Sequence, residues 1–547
     1  MLRKKQIASY IDENFGKSPL DGGMYYDGTG RMKLIREYHE MRECESEVDA
    51  ITWEDLEMDR IFLSVNHTNC FAGEQVLYDR LHRTDSLSDA DEAKKYERQL
   101  EGWMSHPKER LQVEEKLYEI GKFENDYLFV SLIEDAKNWK LDNLWFLRLM
   151  QVLLAVCLFG TTVLQSQVCG VGLTVVITIN LMIYLRTKNR YEVFFSGLGC
   201  LKKLYDFAEW ITSGKMEMSA WVDKQQAMKA VNRTRKLVRK IMPFGIRKQG
   251  VNNGELAAIL ADYLWGITLM DCAALNHMVQ LIVEQEQAVC ALYKFAGETD
   301  AQIAVASYRK SRTIWCKPEA EHGRIEARGL VHPLLKNAVG NDFILEDRAI
   351  LTGANASGKS TFMKAVAINA ILAQTIHTCT ASSCHMPFLK VMTSMALRDD
   401  ISSGESYFIV EIRSLKRILD ESRKKEPLLC VIDEVLRGTN TIERIAASSQ
   451  ILNALRGNWM LSFAATHDIE LSYILDGIYR NYHFKEEVKD REIVFNYLLQ
   501  QGRATTRNAI RLLDMLGYDP ELVKDAGNAA AEFEHTGVWK KILAQKR

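Results

Sequence analysis

The chain has 547 residues, 47% of them apolar and 26% charged, and a formal net charge of −2. This balance excludes a disordered chain and a uniformly basic nucleic-acid binder, so any nucleic-acid surface must be a local patch. The length suits about three or four domains; the scarcity of proline, 8 residues, favours long helices; and 11 cysteines without a CxxC pair or zinc spacing read as free thiols of a reducing compartment.

The N-terminus, Met1-Leu2-Arg3-Lys4-Lys5-Gln6, runs into polar sequence without the apolar stretch of a secretory signal. Residues 1–33, glycine-rich near Asp21-Gly22-Gly23 and from Gly28 to Gly30, read as a loose polar leader. From 34 to 140 the apolar residues recur at helical spacing, as in Leu34-Ile35-Tyr38 and Leu111-Val113-Leu117-Ile120.

No residue between Arg148 and Arg186 is charged. The stretch is too long for one membrane span and suits two, so 141–190 reads as a transmembrane hairpin. Its arms are Leu149 to Leu164 and Val168 to Leu185, with the break at Gln165-Ser166-Gln167. A helical hairpin satisfies its own backbone, as hydrocarbon demands. Lys140 and Arg148 precede it and Arg186, Lys188 and Arg190 follow it, which places both ends, and so both termini, in the cytoplasm. The competing reading, two buried core helices, would call for a charged outer stripe that is missing.

The pattern is helical again over 191–310. Leu256 to Val283 carries Asp262, Asp271 and His277 and reads as an amphipathic core helix, not a third span. A basic run, Arg233, Arg235, Lys236, Arg239 and Lys240, then Arg247 and Lys248, could touch DNA phosphates or anionic lipid heads, or could be a solvated helix face.

After Trp315 short β-branched runs alternate with helices, at Ala349 to Leu351, Leu428 to Ile432, Met460 to Ala464 and Ile493 to Leu499. This is α/β sequence, and 311–547 reads as one domain. Within it Gly353-Ala354-Asn355-Ala356-Ser357-Gly358-Lys359-Ser360-Thr361 fits GxxxxGK[ST], after a strand and before a helix expected over 359–376. Loop amides and the helix N-terminus would hold the phosphates of ATP, Lys359 would reach the β- and γ-phosphates, and Ser360 would ligate Mg²⁺. Leu428 to Ile432 is apolar enough for a central parallel strand, and it ends in Asp433, a metal ligand, and Glu434, a general base. Met460 to Ala464 leads to His467, which could sense the γ-phosphate. The small, Ser/Gly-rich Ser402-Ser403-Gly404-Glu405-Ser406 is similar to the ABC signature, which closes over the ATP of a partner subunit and so implies a dimer with composite sites.

These residues together resemble the MutS mismatch-repair family. Thr352 to Asn355 with Gly358 to Thr361 is similar to its TGPNxxGKST, Asp399 to Glu411 to its DDLxxGxSTFMVE, Asp433 to Asn440 to its DEIGRGTS, and Ala465-Thr466-His467 to its ATH. Ala373-Gln374 stands at the family's AQ pair, which adds Gln374 to the nucleotide-binding set; Tyr407 replaces the threonine after the signature serine. Ala338 stands where the family has the aromatic that stacks on adenine, with Phe343 as a substitute. Asp55 to Phe62, Asn66-His67-Thr68 and Ala72 to Leu81 resemble the start of the family's helical core. The mismatch-recognition and connector domains, the FxE wedge and a C-terminal nuclease-like domain are therefore expected to be absent.

The fold expected is α plus α/β: a lever-like helical core in two parts (34–140 and 191–310), interrupted by a transmembrane hairpin and followed by an ABC-type P-loop ATPase domain. The resemblance implies a dimeric ATPase using ATP and Mg²⁺ that binds double-stranded DNA. The rival is a membrane-localised mechanical ATPase that acts on a protein or lipid partner without DNA. An ABC exporter half fits least, since two short spans cannot build a many-helix pathway.

Overall fold

The computed structural model describes all residues except 1, 23–29, 43–46, 142–143, 215–220, 253–255, 322, 354–356, 396–406, 438, 490–491, 505–509, 511–512, 515 and 542–547. It is a mixed helix-and-sheet protein of two units: Met1–Glu45 with Phe62–Leu81 and Ala90–Ser311, and Ser46–Ile61 with His82–Asp89 and Arg312–Arg547. Two short pieces of the stretch read as helical core, 46–61 and 82–89, thus pack with the C-terminal unit.

The helices up to Ser311 are α1 (Leu2–Asn14), α2 (Gly30–Glu40), α3 (Ala50–Asp55), α4 (Met58–Val65), α5 (Phe71–His82), α6 (Ala90–Ser105), α7 (Pro107–Ile120), α8 (Phe129–Glu134), α9 (Leu144–Thr162), α10 (Gln167–Thr212), α11 (Lys224–Asn252), α12 (Leu256–Ile267) and α13 (Met270–Ser311). All but α3 and parts of α4 and α5 lie in the helical unit. The leader is not loose at its start: α1 packs on α7, burying Ile11 and Phe15, with the Arg110 guanidinium 3.4 Å from the Phe15 ring centre. Helical spacing around Leu34-Ile35-Tyr38 does produce α2, whose Ile35 and Tyr38 are buried.

The core of this unit forms around Tyr293 of α13, whose ring meets Tyr38, Phe71 and Phe129. Several buried charges are paired. Glu74 receives Arg31 and Lys122 and the hydroxyl of Tyr127, and Arg309 grips Glu97 through two bonds of 2.8 Å. Asp300 of α13 accepts from the amides of Asn69 and Cys70 at the start of α5.

The apolar stretch is a helical hairpin, α9 and α10, with its turn over residues 163–166. Gln165 takes a left-handed φ of 49°, and the Ser166 hydroxyl caps α10 at the amide of Cys169. The arms approach closely because Gly160 faces Cys169, whose sulfur would sit 2.4 Å from a Cβ there. Within α9 and α10 two segments, Leu144–Thr162 and Gln167–Thr187, are long and apolar enough to cross a membrane, and only 17% of each is buried. The region Leu256 to Val283, expected as one amphipathic helix, is instead two. It breaks at Thr268 and Leu269, where Leu269 has φ 54°, and the chain turns by 75°.

The C-terminal unit has two sheets. Strands β1 (Pro318–Ala320), β2 (Ile325–Leu330), β3 (Asn341–Leu345) and β5 (Ser383–Met386) make one, in the order β1-β5-β2-β3. Strands β4 (Arg348–Thr352), β6 (Lys390–Ser394), β7 (Leu428–Asp433), β8 (Met460–Ala465), β9 (Arg480–Lys489) and β10 (Glu492–Gln501) make the other, in the order β10-β9-β4-β8-β7-β6. All pairs in the larger sheet are parallel except the edge pair β9–β10. β7 and β8 are buried along their whole length, as central parallel strands require. Helices α14 (Lys359–Ile376), α15 (Tyr407–Ser422), α16 (Thr441–Ala454) and α17 (Ile469–Ile474) connect the strands, and a last helix spans Pro520–Thr536. Parallel neighbours need such crossovers, so the sequence alternation has a direct topological cause.

Candidate functional site

The register of the parallel sheet brings the chemistry together. Leu351 on β4 and Asp433 on β7 both pair with Ala465 on β8, so the three strands end at one level. Ligands in such sheets bind beyond the carboxyl ends of the strands. There a cleft of about 790 Å³ opens, lined among others by Ser357, Gly358, Lys359, Ser360, Thr361, Asp433, Glu434 and His467.

The turn from β4 into α14 needs its glycines. Gly353 has φ 144° and Gly358, which caps α14, has φ 103°, values that side chains rarely adopt. A Cβ on Gly358 would also stand 3.1 Å from the Tyr497 ring. Lys359 Nζ donates to the carbonyl of Gly353 at 2.7 Å, which folds the lysine back over its own loop. Ala354, Asn355 and Ala356 lie outside the described residues, as do Ser402, Ser403, Gly404, Glu405 and Ser406 of the signature.

Glu434 stands just past β7 in a left-handed conformation, φ 58°, and Leu436 follows at φ 60°. Strain of this kind in non-glycine residues collects at functional sites. Two features hold the turn: the Glu434 amide donates to the Ala465 carbonyl, and Glu411 of α15 accepts from the amide of Leu436. Glu434 Oε1 lies 2.5 Å from His467 Nε2, and Oε2 lies 2.5 Å from Arg437 Nε. Burial pushes the Glu434 carboxyl up, but the bond from His467 and the charges of His467, Arg437 and Lys359 outweigh it and hold it below the usual carboxylate range. The group is therefore ionised at neutral pH.

Oδ1 of Asp433 is buried without a hydrogen-bond partner, and the residue lines the cleft with Ser360. An unpaired carboxylate oxygen near a helix-terminal hydroxyl fits Mg²⁺, which takes few protein oxygens and fills its shell with water and phosphate.

Gln374 of the nucleotide-binding set and Phe343, the substitute considered for the adenine-stacking aromatic, sit elsewhere. Gln374 is buried in α14, where its amide donates to the Ala370 carbonyl and accepts from the Leu389 amide, so it ties the helix to the chain entering β6. Phe343 faces the core, with its ring against Phe362, Phe463 and Tyr482, and offers no face to a base.

The aromatic beside Ala338, Val339 and Asn341 in the cleft is Tyr497. It sits at an irregularity of β10 between Phe495 and Leu499, with φ 54°. Asn341 fastens this bulge by donating to the Tyr497 carbonyl at 3.0 Å and accepting from the Leu499 amide at 2.7 Å. No local motif marks Tyr497, since only the return of β10 beside β3 brings it there. Asp55 of α3 was missed for the same reason: it lines the cleft from a segment far away in sequence.

The basic residues Arg233, Arg235, Lys236, Arg239 and Lys240 are all exposed on α11, whose opposite side buries Thr234, Leu237 and Val238. Arg235 is engaged by Glu209 and the Tyr205 hydroxyl, and Lys240 by His277. Side chains of Arg247 and Lys248 lie outside the described residues. Among the described residues no cluster of three or more His, Cys, Asp or Glu could hold a metal, and the ten described cysteines are unbridged.

Residues 349–534, which hold β4, the glycine loop, β7, β8 and most of the last helix, match the family described as MutS domain V. This part of the chain is similar to the MutS family. The chain is 30% identical over 311 residues to a protein of Fusobacterium nucleatum named DNA mismatch repair protein MutS, covering 53% of this chain and 34% of that one. It is 31% identical over 310 residues to the protein of that name from Thermosipho melanesiensis, covering 53% and 37%, and 27% identical over 268 residues to that of Bacillus subtilis, covering 47% and 31%. These alignments thus span about a third of the length of the curated relatives.

Proposed function

We propose that this chain is an ATP-hydrolysing MutS-family protein, anchored in a membrane by the α9–α10 hairpin and working as a homodimer with composite ATP sites. The observation that carries the reading is the convergence of Lys359, Ser360, Asp433, Glu434 and His467 on one cleft at the ends of three parallel strands.

The steps follow from the side chains. Lys359 turns from the Gly353 carbonyl to the β- and γ-phosphates, and the N-terminus of α14 adds its amides. Mg²⁺, bound through Ser360 and Asp433, would neutralise phosphate charge. Glu434, held ionised, takes a proton from water as the water oxygen bonds the γ-phosphorus and the bond to the β–γ bridging oxygen breaks, leaving ADP and phosphate. His467 exchanges its bond to Glu434 for one to the γ-phosphate, so the base is released for water only when ATP is present. The signature Ser402 to Ser406, immediately before α15, would close over the ATP of the partner subunit; the family resemblance supports this.

Two exposed apolar helices with basic flanks support a hairpin spanning the membrane, with the ATPase domain and both termini on the cytoplasmic side. For the task of the engine, the names of the relatives and the exposed basic side of α11 favour double-stranded DNA. A second reading has its own observation: α10 runs without a break from the apolar arm into the helical unit, where it packs on α11 and α13. That continuity suits a mechanical ATPase that moves a membrane-bound protein or lipid partner without DNA.

The test is duplex-DNA binding by the full chain in lipid nanodiscs, with and without ATP, across a salt series, with phosphate release measured in parallel. Salt-sensitive binding that changes with ATP supports a membrane-tethered DNA clamp. Phosphate release without DNA binding selects the mechanical reading, and no ATP-dependent phosphate release overturns both.

A further inference from the structure

We propose that α12 is a third membrane-inserted element, a short helix that dips into the acyl layer beside the hairpin and leaves it at the bend into α13. The inference rests on the reading of α9 and α10 as spans, and it adds a lipid-facing surface to them. Leu256, Leu260, Tyr263 and Leu264 recur at helical spacing along one side of α12 and are 72%, 56%, 53% and 62% exposed. Such an uncovered stripe is costly in water, and α12 packs on α10, whose apolar arm is likewise exposed.

The other side of α12 meets the hairpin through polar side chains. The bend at Thr268 and Leu269 leaves carbonyls without helical partners, which hydrocarbon does not tolerate. Two amide side chains of the hairpin arms supply the missing donors. Asn180 Nδ2 donates to the Ile267 carbonyl at 2.8 Å, and Gln151 Nε2 donates to the Thr268 carbonyl at 3.0 Å. Asn180 is wholly buried. Tyr184, also buried, donates to Asp262 at 2.8 Å, and its ring fills the space at Gly266, where a Cβ would sit 2.6 Å away. These polar residues of the apolar segments are therefore spent on docking α12.

Depth follows from position. Counted from the flanking Arg148 and Arg186, Gln151 lies three and Asn180 six residues inside the apolar stretch, about 5 and 9 Å along the helix axis. At 12 residues α12 is about 18 Å long, too short to cross, so the chain turns back through α13.

Photo-crosslinking of the full chain in phosphatidylcholine vesicles tests this, with p-benzoyl-phenylalanine placed singly at Leu260, at the hairpin residue Leu158 and at Leu516 of the C-terminal unit, all exposed. The expected result is acyl-chain adducts at Leu260 in yield similar to Leu158, and none at Leu516. Adducts at Leu158 without any at Leu260 overturn this inference and leave the hairpin standing. No lipid adduct at either position overturns both. A crosslink from Leu260 to a second copy of the chain also overturns it and makes the stripe a protein interface.

Discussion

Asp55 accepts a hydrogen bond of 2.6 Å from the Thr393 hydroxyl and another of 3.0 Å from the Met395 amide, which fixes α3 to the end of β6 across some 340 residues of sequence. The neighbouring Thr52 hydroxyl accepts from the Thr393 amide, and Asp49, at the cap of α3, meets Arg417 of α15. Burial raises the Asp55 carboxyl above its usual range despite these bonds. Asp55→Ala strands two buried donors and should cost about 1–3 kcal/mol of stability. Asp55→Asn keeps an acceptor oxygen and should cost less. Denaturant unfolding of both variants checks this; equal losses would show that the acceptor is not what matters.

Glu434→Gln should lower kcat for ATP hydrolysis by at least about a hundredfold, the usual contribution of a general base, while ATP binding persists. The variant should accumulate as an ATP-bound dimer, visible as an ATP-dependent rise in mass by light scattering. Because His467, Arg437 and Lys359 hold the carboxyl low, the acid limb of the wild-type kcat profile should fall below the pH range of a free glutamate, about 4.3. Wild-type turnover by the variant would remove Glu434 from the role of base.

Tyr497 offers the only aromatic ring near Ala338 among the described residues lining the cleft, apart from the buried Phe362 and Phe484. Tyr497→Ala should weaken ATP binding by about 1 kcal/mol, the usual worth of a ring contact, or roughly fivefold in Kd, whereas Tyr497→Phe should bind as wild type. Titration with a fluorescent ATP analogue measures both. Equal weakening in the two would assign the effect to the hydroxyl.

Glu74 is a buried carboxylate of the helical unit held charged by its neighbours. Burial opposes its charge, but Lys122, Arg31 and the Tyr127 hydroxyl more than compensate, and its carboxyl drops from 4.5 to about 2. A depressed carboxyl contributes stability above its unfolded value, and that stability is lost as the pH falls from 4.5 towards 2. The contribution is on the order of 3 kcal/mol. The stability gap between wild type and Glu74→Gln should therefore be constant from neutral pH to about 5 and shrink below that. A gap unchanged at pH 3 would show that Glu74 is not held ionised.

If α11 carries DNA, replacing Arg233, Lys236 and Arg239 with alanine should reduce the slope of log K against log salt by about 0.9 for each lost phosphate contact. ATP turnover without DNA should not change. An unaltered slope would return the basic run to a solvated helix face.

Much of the site was legible because it is written in short local runs. The glycines at 353 and 358, the lysine after them, and the apolar β7 ending in Asp433 and Glu434 each announce their backbone geometry, and the parallel register then has little freedom in placing them. The hairpin was legible because absence of charge over so long a stretch is a property of composition. Other assignments depended on packing. Gln374 belonged to a plausible pair, yet one turn of helix points its amide at Leu389 and away from the cleft. Phe343 was a reasonable aromatic until alternation along β3 turned it into the core, while Tyr497 entered from a bulge that no spacing marks.

The sequence by itself determined the glycine loop with its lysine, the apolar strand that ends in two acids, and the presence of two successive apolar arms, because those properties lie in side-chain chemistry and periodicity within a few residues. Only the tertiary structure decided which distant residues join them. Asp55 reaches the cleft through α3, Glu411 steadies the strained turn after Glu434, and Gln151 and Asn180 cap a helix that sequence read as part of a longer one. Each of these is a buried or half-buried polar group whose partner lies far away in sequence, and that pairing is favoured by the cost of leaving a buried donor or acceptor unmet, which only the folded chain resolves.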